Sequence, residues 1–393
     1  MNFNQCYKGV MQNMNQKIRV CHITSAHPSY DIRIFQKECR TLAEDERFEV
    51  FLVAQGKSRK EDGVKVVGVG ENTKGRLQRI INTSNKVYRK ALCLNADIYH
   101  LHDPELLLYA IKLKKLGKIV VFDSHENYPE QIREKNYLPI WFRKIIAFAY
   151  KKFETFVLKR IDAVIVPGLA NNKNIFGGRC KKTVFIDNFP LIDERRKYKE
   201  HTFSKGQEVF KVCYVGSLSS KRGITQLIKA CYNANVRLIL AGNFSSEEYK
   251  NKIFGMKEIS CVEYRGFCDF DVVTDIYNES HLGAATLLKV GQYATMSNLP
   301  TKTYEYMQVG LPIIMTDNKY NIELMKKEDF AYLVDSNNEI AISELIKYIS
   351  ENYSETYKKV ELAYELAHKK YNWNLEGKKL LQLYAYLLKK YKE

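Results

Sequence analysis

The chain lacks any apolar run long enough to cross a bilayer, although 45% of its residues are hydrophobic. Its first stretch, MNFNQCYKGVMQNMNQ, has no apolar centre of the kind a secretory leader carries. The nine cysteines are scattered, odd in number and without a C-x-x-C pair. That spacing disfavours a disulfide scaffold or a zinc site and suits core cysteines in a reducing, intracellular setting. Walker-type loops are missing, as are H-E-x-x-H, G-x-S-x-G and G-x-G-x-x-G. Those absences disfavour a P-loop NTPase, a zincin, a serine hydrolase and a standard dinucleotide dehydrogenase. No short-period repeat or low-complexity tract interrupts the chain.

What is present is length, alternation and positive charge. With 393 residues the chain can form two domains of ordinary size. A formal net charge of +17 implies a polyanionic neighbour, whether nucleic acid, anionic lipid or phosphorylated substrate. Strand-like KIRVCHIT is followed by the loop SAHPSYD and a helical pattern with Phe35, Cys39 and Leu42 on one face. FEVFLVA, VKVVGV, ADIYHLH, KIVVFDS, DAVIVPG and KTVFIDNFP read as further strands. Helical stretches fall among them, one opened by Asp103 and Pro104. Short strands separated by helices predict a doubly wound parallel sheet. The expected division is residues 1–190 as a first α/β domain, 191–209 as a polar linker, 210–370 as a second α/β domain and 371–393 as a final helix.

Two helices stand out for their basic faces. One lies near residues 76–92 and the other near 138–160, where Phe142, Ile146, Ala149, Phe153, Phe156 and Val157 form a stripe. A core-facing helix with a solvated basic side explains that stripe; a helix laid on an anionic membrane interface is the alternative.

The most pointed stretch is SNLPTKTYEYMQVGLP, residues 297–312. Pro300 suits the first turn of a helix, Asn298 or Ser297 can cap it, and Gly310 sits where a left-handed C-terminal residue is wanted. A helix start favours phosphate, and Glu305 one turn in can accept bonds from sugar hydroxyls. Phosphate on backbone and hydroxyls on a carboxylate are what a nucleotide sugar requires, although a first-turn acid can also be a mere dipole partner. Strand-end loops are where doubly wound sheets bind ligands. In the second half they add Gly216 and the cations Lys221, Arg222 and Lys302, able to neutralise a diphosphate unless they are simply solvated helix-end charges. In the first half they add His27, Asp31, Arg33, His102, Asp103, His125 and Glu126.

DIRIFQKE, YHLHDPELL, FDSHENYPEQI, YVGSLSSKRG, LPTKTYEYMQVGLPIIMTD and the late YNW together resemble family-4 retaining glycosyltransferases, in particular bacterial enzymes of capsule, O-antigen and exopolysaccharide assembly. The resemblance covers nearly the whole chain. It implies a GT-B fold, two Rossmann-like domains facing a cleft, with the last helix crossing back to the first domain. It implies a nucleotide-diphosphate-sugar as donor, bound by the second domain, and a lipid-linked saccharide as acceptor, met by the first. No metal and no other cofactor are implied, nor any nucleic acid.

By the same resemblance, Glu305 holds the ribose as the second glutamate of the E-x7-E motif. Arg222, with Lys221 beside it, binds phosphate; Gly216 lets its loop approach the nucleotide; and backbone groups of Leu299, Pro300, Thr301 and Lys302 meet the diphosphate. His125 contacts the donor sugar near the reacting carbon, so His125, Arg222 and Glu305 form the catalytic set. His27, Asp31, Arg33, His102, Asp103 and Glu126 remain acceptor-side candidates. Two departures are visible: the first motif glutamate falls at Ser297, and the arginine that often follows the glycine is Ser217. A nucleotide-sugar 2-epimerase and a non-catalytic sugar-nucleotide-binding subunit are the alternatives on the same fold. The expected location is the cytoplasm, peripherally on the inner face of the cytoplasmic membrane.

Overall fold

The computed structural model describes residues 17–71, 79–124, 128–133, 139–168, 176–193, 195, 196, 198–294, 296 and 298–392. His125, Glu126 and Ser297, three of the residues singled out above, lie outside that set. The described residues fall into two compact units. The first draws on Met1–Gly168, Asn174–Asn188 and Glu376–Glu393, and the second on Phe189–Leu375.

The first unit is built on an eight-stranded sheet. Its order is Arg59–Glu61, Val64–Gly68, Phe48–Gln55, Ile18–Pro28, Ile98–Leu101, Ile119–Asp123, Ala163–Val166 and Thr183–Phe185. Every neighbouring pair is parallel except the first, an antiparallel hairpin that the sequence reading did not foresee. Parallel strands are covered on both faces, so they read as near-continuous apolar runs. Val20, Cys21, Ile23, Val120, Val121 and Phe122 are accordingly buried. The central strand runs four residues beyond the expected Thr24, to Pro28, with a register shift between Ile23 and Pro28.

Asp31 starts the next helix, Ile32–Cys39, its Oδ1 accepting from the N–H groups of Arg33 and Ile34 at 2.9 Å each. The turns there are wide, of π type, before Arg40–Ala43 tightens to α. Phe35, Cys39 and Leu42 face the core as their spacing required. Asp103, expected to cap its own helix, instead turns its Oδ2 to Thr24 Oγ1 and to the N–H groups of Ser25 and Ala26. It ties the tip of the central strand to the next one.

The helix Ile140–Leu158 corrects the predicted stripe. Ala147, Glu154, Val157 and Leu158 are its buried residues, whereas Phe142 and Phe156 are exposed together with Trp141, Ile145 and Phe148. Among the described residues no helix is long and apolar enough to cross a membrane. The last helix, Trp373–Lys392, returns to the first unit from Glu376 onward. Leu380, Leu383, Tyr384 and Leu387 are its buried face, with the Tyr384 ring edge-on to Phe48 at 5.7 Å.

The second unit has a six-stranded, all-parallel sheet. Its order is Val262–Tyr264, Arg237–Ala241, Lys211–Val215, Leu282–Ala285, Ile313–Thr316 and Tyr332–Val334. The stretch 191–209, read as a linker from its polarity, packs within this unit. Gln308 Nε2 donates to the Leu191 carbonyl at 3.0 Å, Lys199 N–H donates to the Val309 carbonyl, and Phe203 meets Phe210 edge-on.

Candidate active site

The helix Thr301–Val309 packs on two strands of the second unit, its Tyr306 hydroxyl donating to the Cys213 and Ala284 carbonyls. Pro300 occupies its cap position with φ −59° and ψ 143°, and Gly310 closes it with φ 73° and ψ 29°, as its sequence punctuation required. A Cβ at Gly310 would also lie 2.7 Å from the Tyr198 ring. Asn298 does not cap the helix; its Oδ1 accepts from the Leu299 N–H at 2.9 Å and from the Tyr304 hydroxyl at 2.5 Å. That fixes the approach to the helix rather than its first turn.

Glu305 is held from behind. Tyr277 donates its hydroxyl to Oε2 at 2.7 Å, and Arg196 Nη1 lies 3.3 Å from Oε1. Arg196 is itself buried, stacked on the ring of Phe270 with its carbon 4.1 Å from the centroid. Burial, then the neighbouring Glu305 charge, pushes the Tyr277 hydroxyl well above its ordinary range, so it stays a donor. The Glu305 side chain keeps 23% of its surface exposed. Each carboxylate oxygen has lone pairs beyond those used, so the acid is oriented and still able to accept. Neither Arg196 nor Tyr277 was legible: one hides in a charged run and the other in an amphipathic helix.

Lys302 turns inward. It is 6% exposed, and its Nζ stands 3.0 Å from the centroid of the Tyr214 ring and finds no hydrogen-bond partner among the described residues. Burial first, and the Arg222 charge second, push this amine well below its usual range; Glu305 acts in the other direction. Those charges place Lys302 within electrostatic reach of both Arg222 and Glu305. Gly216 lies against the ammonium: a Cβ there would be 3.3 Å from Nζ, and φ is 131°. The glycine thus leaves room for the lysine as well as for a close loop.

Arg222 ends the single turn Ser220–Arg222, and Gly223 follows at φ 74°. A Cβ at Gly223 would fall 2.1 Å from the Thr286 carbonyl oxygen, so only glycine lets this loop meet that strand end. Arg222 is half-buried; burial opposes its charge, but Tyr214 and Tyr293 outweigh that, and the group stays cationic. Lys221 is exposed, with its carbonyl accepting from the Leu288 N–H.

In the first unit the candidates separate into an open set and a buried one. His27 is half-buried at the strand tip, its Nδ1 3.3 Å from Asp31 Oδ2 and its Nε2 3.6 Å from Asp103 Oδ1. Burial raises the Asp31 carboxyl, but bonds from His27 and the Ile34 N–H prevail and hold it at about 2. Arg33 and His102, in contrast, are interior. Arg33 grips Asp123 with two bonds of 2.9 and 3.0 Å and reaches the Ile186 carbonyl. Both are sealed from solvent, whereas His27 and Asp31 are partly exposed.

Two parallel-sheet Rossmann-like units on one chain, with the last helix returning to the first, define the GT-B class of glycosyltransferase fold. Solved structures share it over most of their length. A sucrose-phosphate synthase from Thermosynechococcus elongatus superposes with a TM-score of 0.73 at 14% identity, covering 95% of this chain and 99% of that one. HepE from Anabaena, in complex with UDP-glucose, gives 0.67 at 15% identity over 94% and 99%. WaaG, a glycosyltransferase involved in lipopolysaccharide biosynthesis, gives 0.63 at 13% identity over 92% and 98%. No curated protein sequence matches the chain. Residues 195–365 match the family of glycosyl transferases group 1, and residues 35–170 match glycosyltransferase family 4. Glycosyltransferase family models thus match both units of the chain, that of group 1 the second and that of family 4 the first.

Proposed function

We propose that the chain transfers a sugar, with retention, from a nucleotide-diphosphate-sugar held by the second unit. The observation that carries this is the buried Lys302 amine without a partner among the described residues, flanked by the Arg222 charge and the oriented Glu305 carboxylate. An amine kept in such a place at a cost to stability needs an anion to meet it. Leu299 spends its N–H on Asn298, and Pro300 has none. Thr301 and Lys302 therefore carry the first-turn N–H groups that a helix start leaves without intrahelical acceptors. Diphosphate oxygens set there meet two backbone donors and two cations, while Glu305 accepts from the ribose hydroxyls. HepE, a structural neighbour, is solved with UDP and with UDP-glucose, which supports a donor of this kind.

Transfer then needs no protein nucleophile. The bond from the anomeric carbon to the leaving phosphate breaks as the acceptor oxygen bonds to the same face, and a phosphate oxygen takes the acceptor proton. Arg222 and Lys302 stabilise the charge that develops on the diphosphate, so metal-independent transfer is the expected mode. The acceptor is proposed to be a lipid-linked saccharide, met by His27 and Asp31. The exposed Trp141, Phe142, Ile145 and Phe148, with Arg143, Lys144, Lys151 and Lys152 on the same helix, support docking on the inner face of an anionic membrane.

The test is a hydrolysis and transfer screen over nucleotide sugars, with Glu305→Ala beside the unaltered chain. Loss of roughly 10²–10³ in rate is the expected effect of removing an acid positioned on the donor. Full activity and full donor affinity in Glu305→Ala would remove the site from the second unit.

A further inference from the structure

Under the strands of the first unit lies a side-chain cluster that the proposed transfer does not use. His22, Glu38, His100 and His102 are all within 1% of complete burial. Each offers one ligand atom, and these atoms lie within 4.8 Å of one another. Glu38 Oε2 stands 3.9 Å from His22 Nδ1, from His100 Nε2 and from His102 Nε2, and His22 Nδ1 is 2.9 Å from His102 Nε2. We propose that this cluster is a structural site for a divalent transition metal of the zinc class, held by three imidazole nitrogens and one carboxylate oxygen.

The geometry is close to what such an ion needs. Zinc bonds of about 2.0–2.1 Å in a tetrahedron separate the ligand atoms by about 3.3–3.4 Å. The observed spacings run from 2.9 Å up to 4.8 Å, so the widest pair closes by up to about 1.5 Å to complete the shell.

The supporting shell is also in place. Tyr384 on the last helix lies 3.0 Å from His100 Nδ1, which leaves Nε2 for the cluster. Asp123 Oδ2 lies 3.6 Å from His102 Nδ1, the carboxylate–histidine pairing that orients metal-bound imidazoles, and leaves Nε2 on the inner side. Arg33 Nε lies 2.9 Å from Asp123 and 3.1 Å from Glu38 Oε1.

Charge and hydrogen bonding point the same way. Two buried carboxylates, Glu38 and Asp123, share one guanidinium, so one negative charge is left over beside three imidazoles. His100 Nε2 and Glu38 Oε2 find no hydrogen-bond partner among the described residues, while Glu38 Oε1 has the Arg33 guanidinium 3.1 Å away. Polar atoms sealed in this way cost stability unless something fills their lone pairs. A proton on Glu38 balances the charge and His22 can share a hydrogen bond with His102, but His100 Nε2 is then still without a donor, whereas a dication answers all four groups at once. The ligand spacing in sequence, 22, 38, 100 and 102, matches no short zinc motif. Sequence reading therefore expected no metal; the parallel pairing of the strands at His22 and His100 is what assembles the cluster.

The site is sealed, so the ion is taken up as the chain folds. The full chain is grown in zinc-supplemented and in cobalt-supplemented medium, purified without chelators, and its metal is measured by elemental mass spectrometry. The expected result is close to one zinc per chain, kept on dialysis against a chelator and released on unfolding. The cobalt form should show the intense visible bands of a tetrahedral nitrogen–oxygen site. Glu38→Gln should bind substoichiometrically, and Tyr384→Phe, which keeps the ring, should weaken retention by about 10- to 100-fold. Full zinc in Glu38→Gln overturns the ligand assignment. Metal-free protein from both media, with no visible bands in cobalt, overturns the site and leaves a hydrogen-bonded histidine network. If Glu38→Gln does not fold, Tyr384→Phe and the unaltered chain still decide.

Discussion

Lys302 shows the tension between stability and binding most plainly. Its amine is buried without a hydrogen bond among the described residues, and burial holds its pKa well below the ordinary lysine range. Between that lowered value and the ordinary one, the unfolded chain binds a proton that the folded chain does not. Stability contributed by this group therefore rises with pH across that window. A diphosphate arriving beside it reverses the preference, so binding should draw a proton from solution. Calorimetry of a nucleoside diphosphate in buffers of different ionisation heat should show proton uptake in the unaltered chain and none in Lys302→Met. The same variant should melt higher and bind more weakly. A Lys302→Met protein that binds as tightly as the original contradicts this account of the residue. That Lys302 turns inward was not legible, because a lysine in the first turn of a helix reads as a solvated charge; Gly216 and Tyr214, distant in sequence, decide its direction.

At the scale of elements, the last helix is tied to the end of the first sheet by two acids. Glu376 Oε2 accepts from the Asp187 N–H at 2.9 Å, which brings the two carboxyls together. Burial, then the Glu376 charge, raises the Asp187 carboxyl to about 6. A carboxyl whose folded pKa lies above its unfolded one costs nothing below the unfolded value and its full penalty above the folded one. Asp187→Asn should therefore leave the melting temperature nearly unchanged near pH 3.5 and raise it at pH 8, by an amount worth about 3 kcal/mol. An equal shift at both pH values contradicts the charge argument. The helix Ile140–Leu158 carries a second prediction: Trp141→Ser with Phe148→Ser should abolish sedimentation with vesicles rich in anionic lipid and leave the fold intact. Equal retention on neutral vesicles would speak against the membrane reading.

Much of this element-level order was visible beforehand. The apolar, β-branched runs gave nearly every parallel strand, and Pro300 and Gly310 bracketed their helix correctly. What escaped depends on tertiary partners: the hairpin at Arg59–Glu61, the rotation of helix Ile140–Leu158, and Arg196, whose value lies in reaching Glu305.

For the whole molecule, the two sheets, the return of the last helix and the two family matches agree on a glycosyltransferase of group 1. In the proposed function the net charge of +17 is met by phosphate and by anionic lipid, and neither requires nucleic acid. The central claim is that the second unit binds a nucleoside diphosphate between Arg222, Lys302 and Glu305. Isothermal titration of UDP, GDP and ADP into the full chain, beside Glu305→Ala, tests it most directly. Saturable binding of one of them, weakened at least about tenfold in the variant, is the predicted result; no binding of any, or equal binding by both proteins, contradicts it.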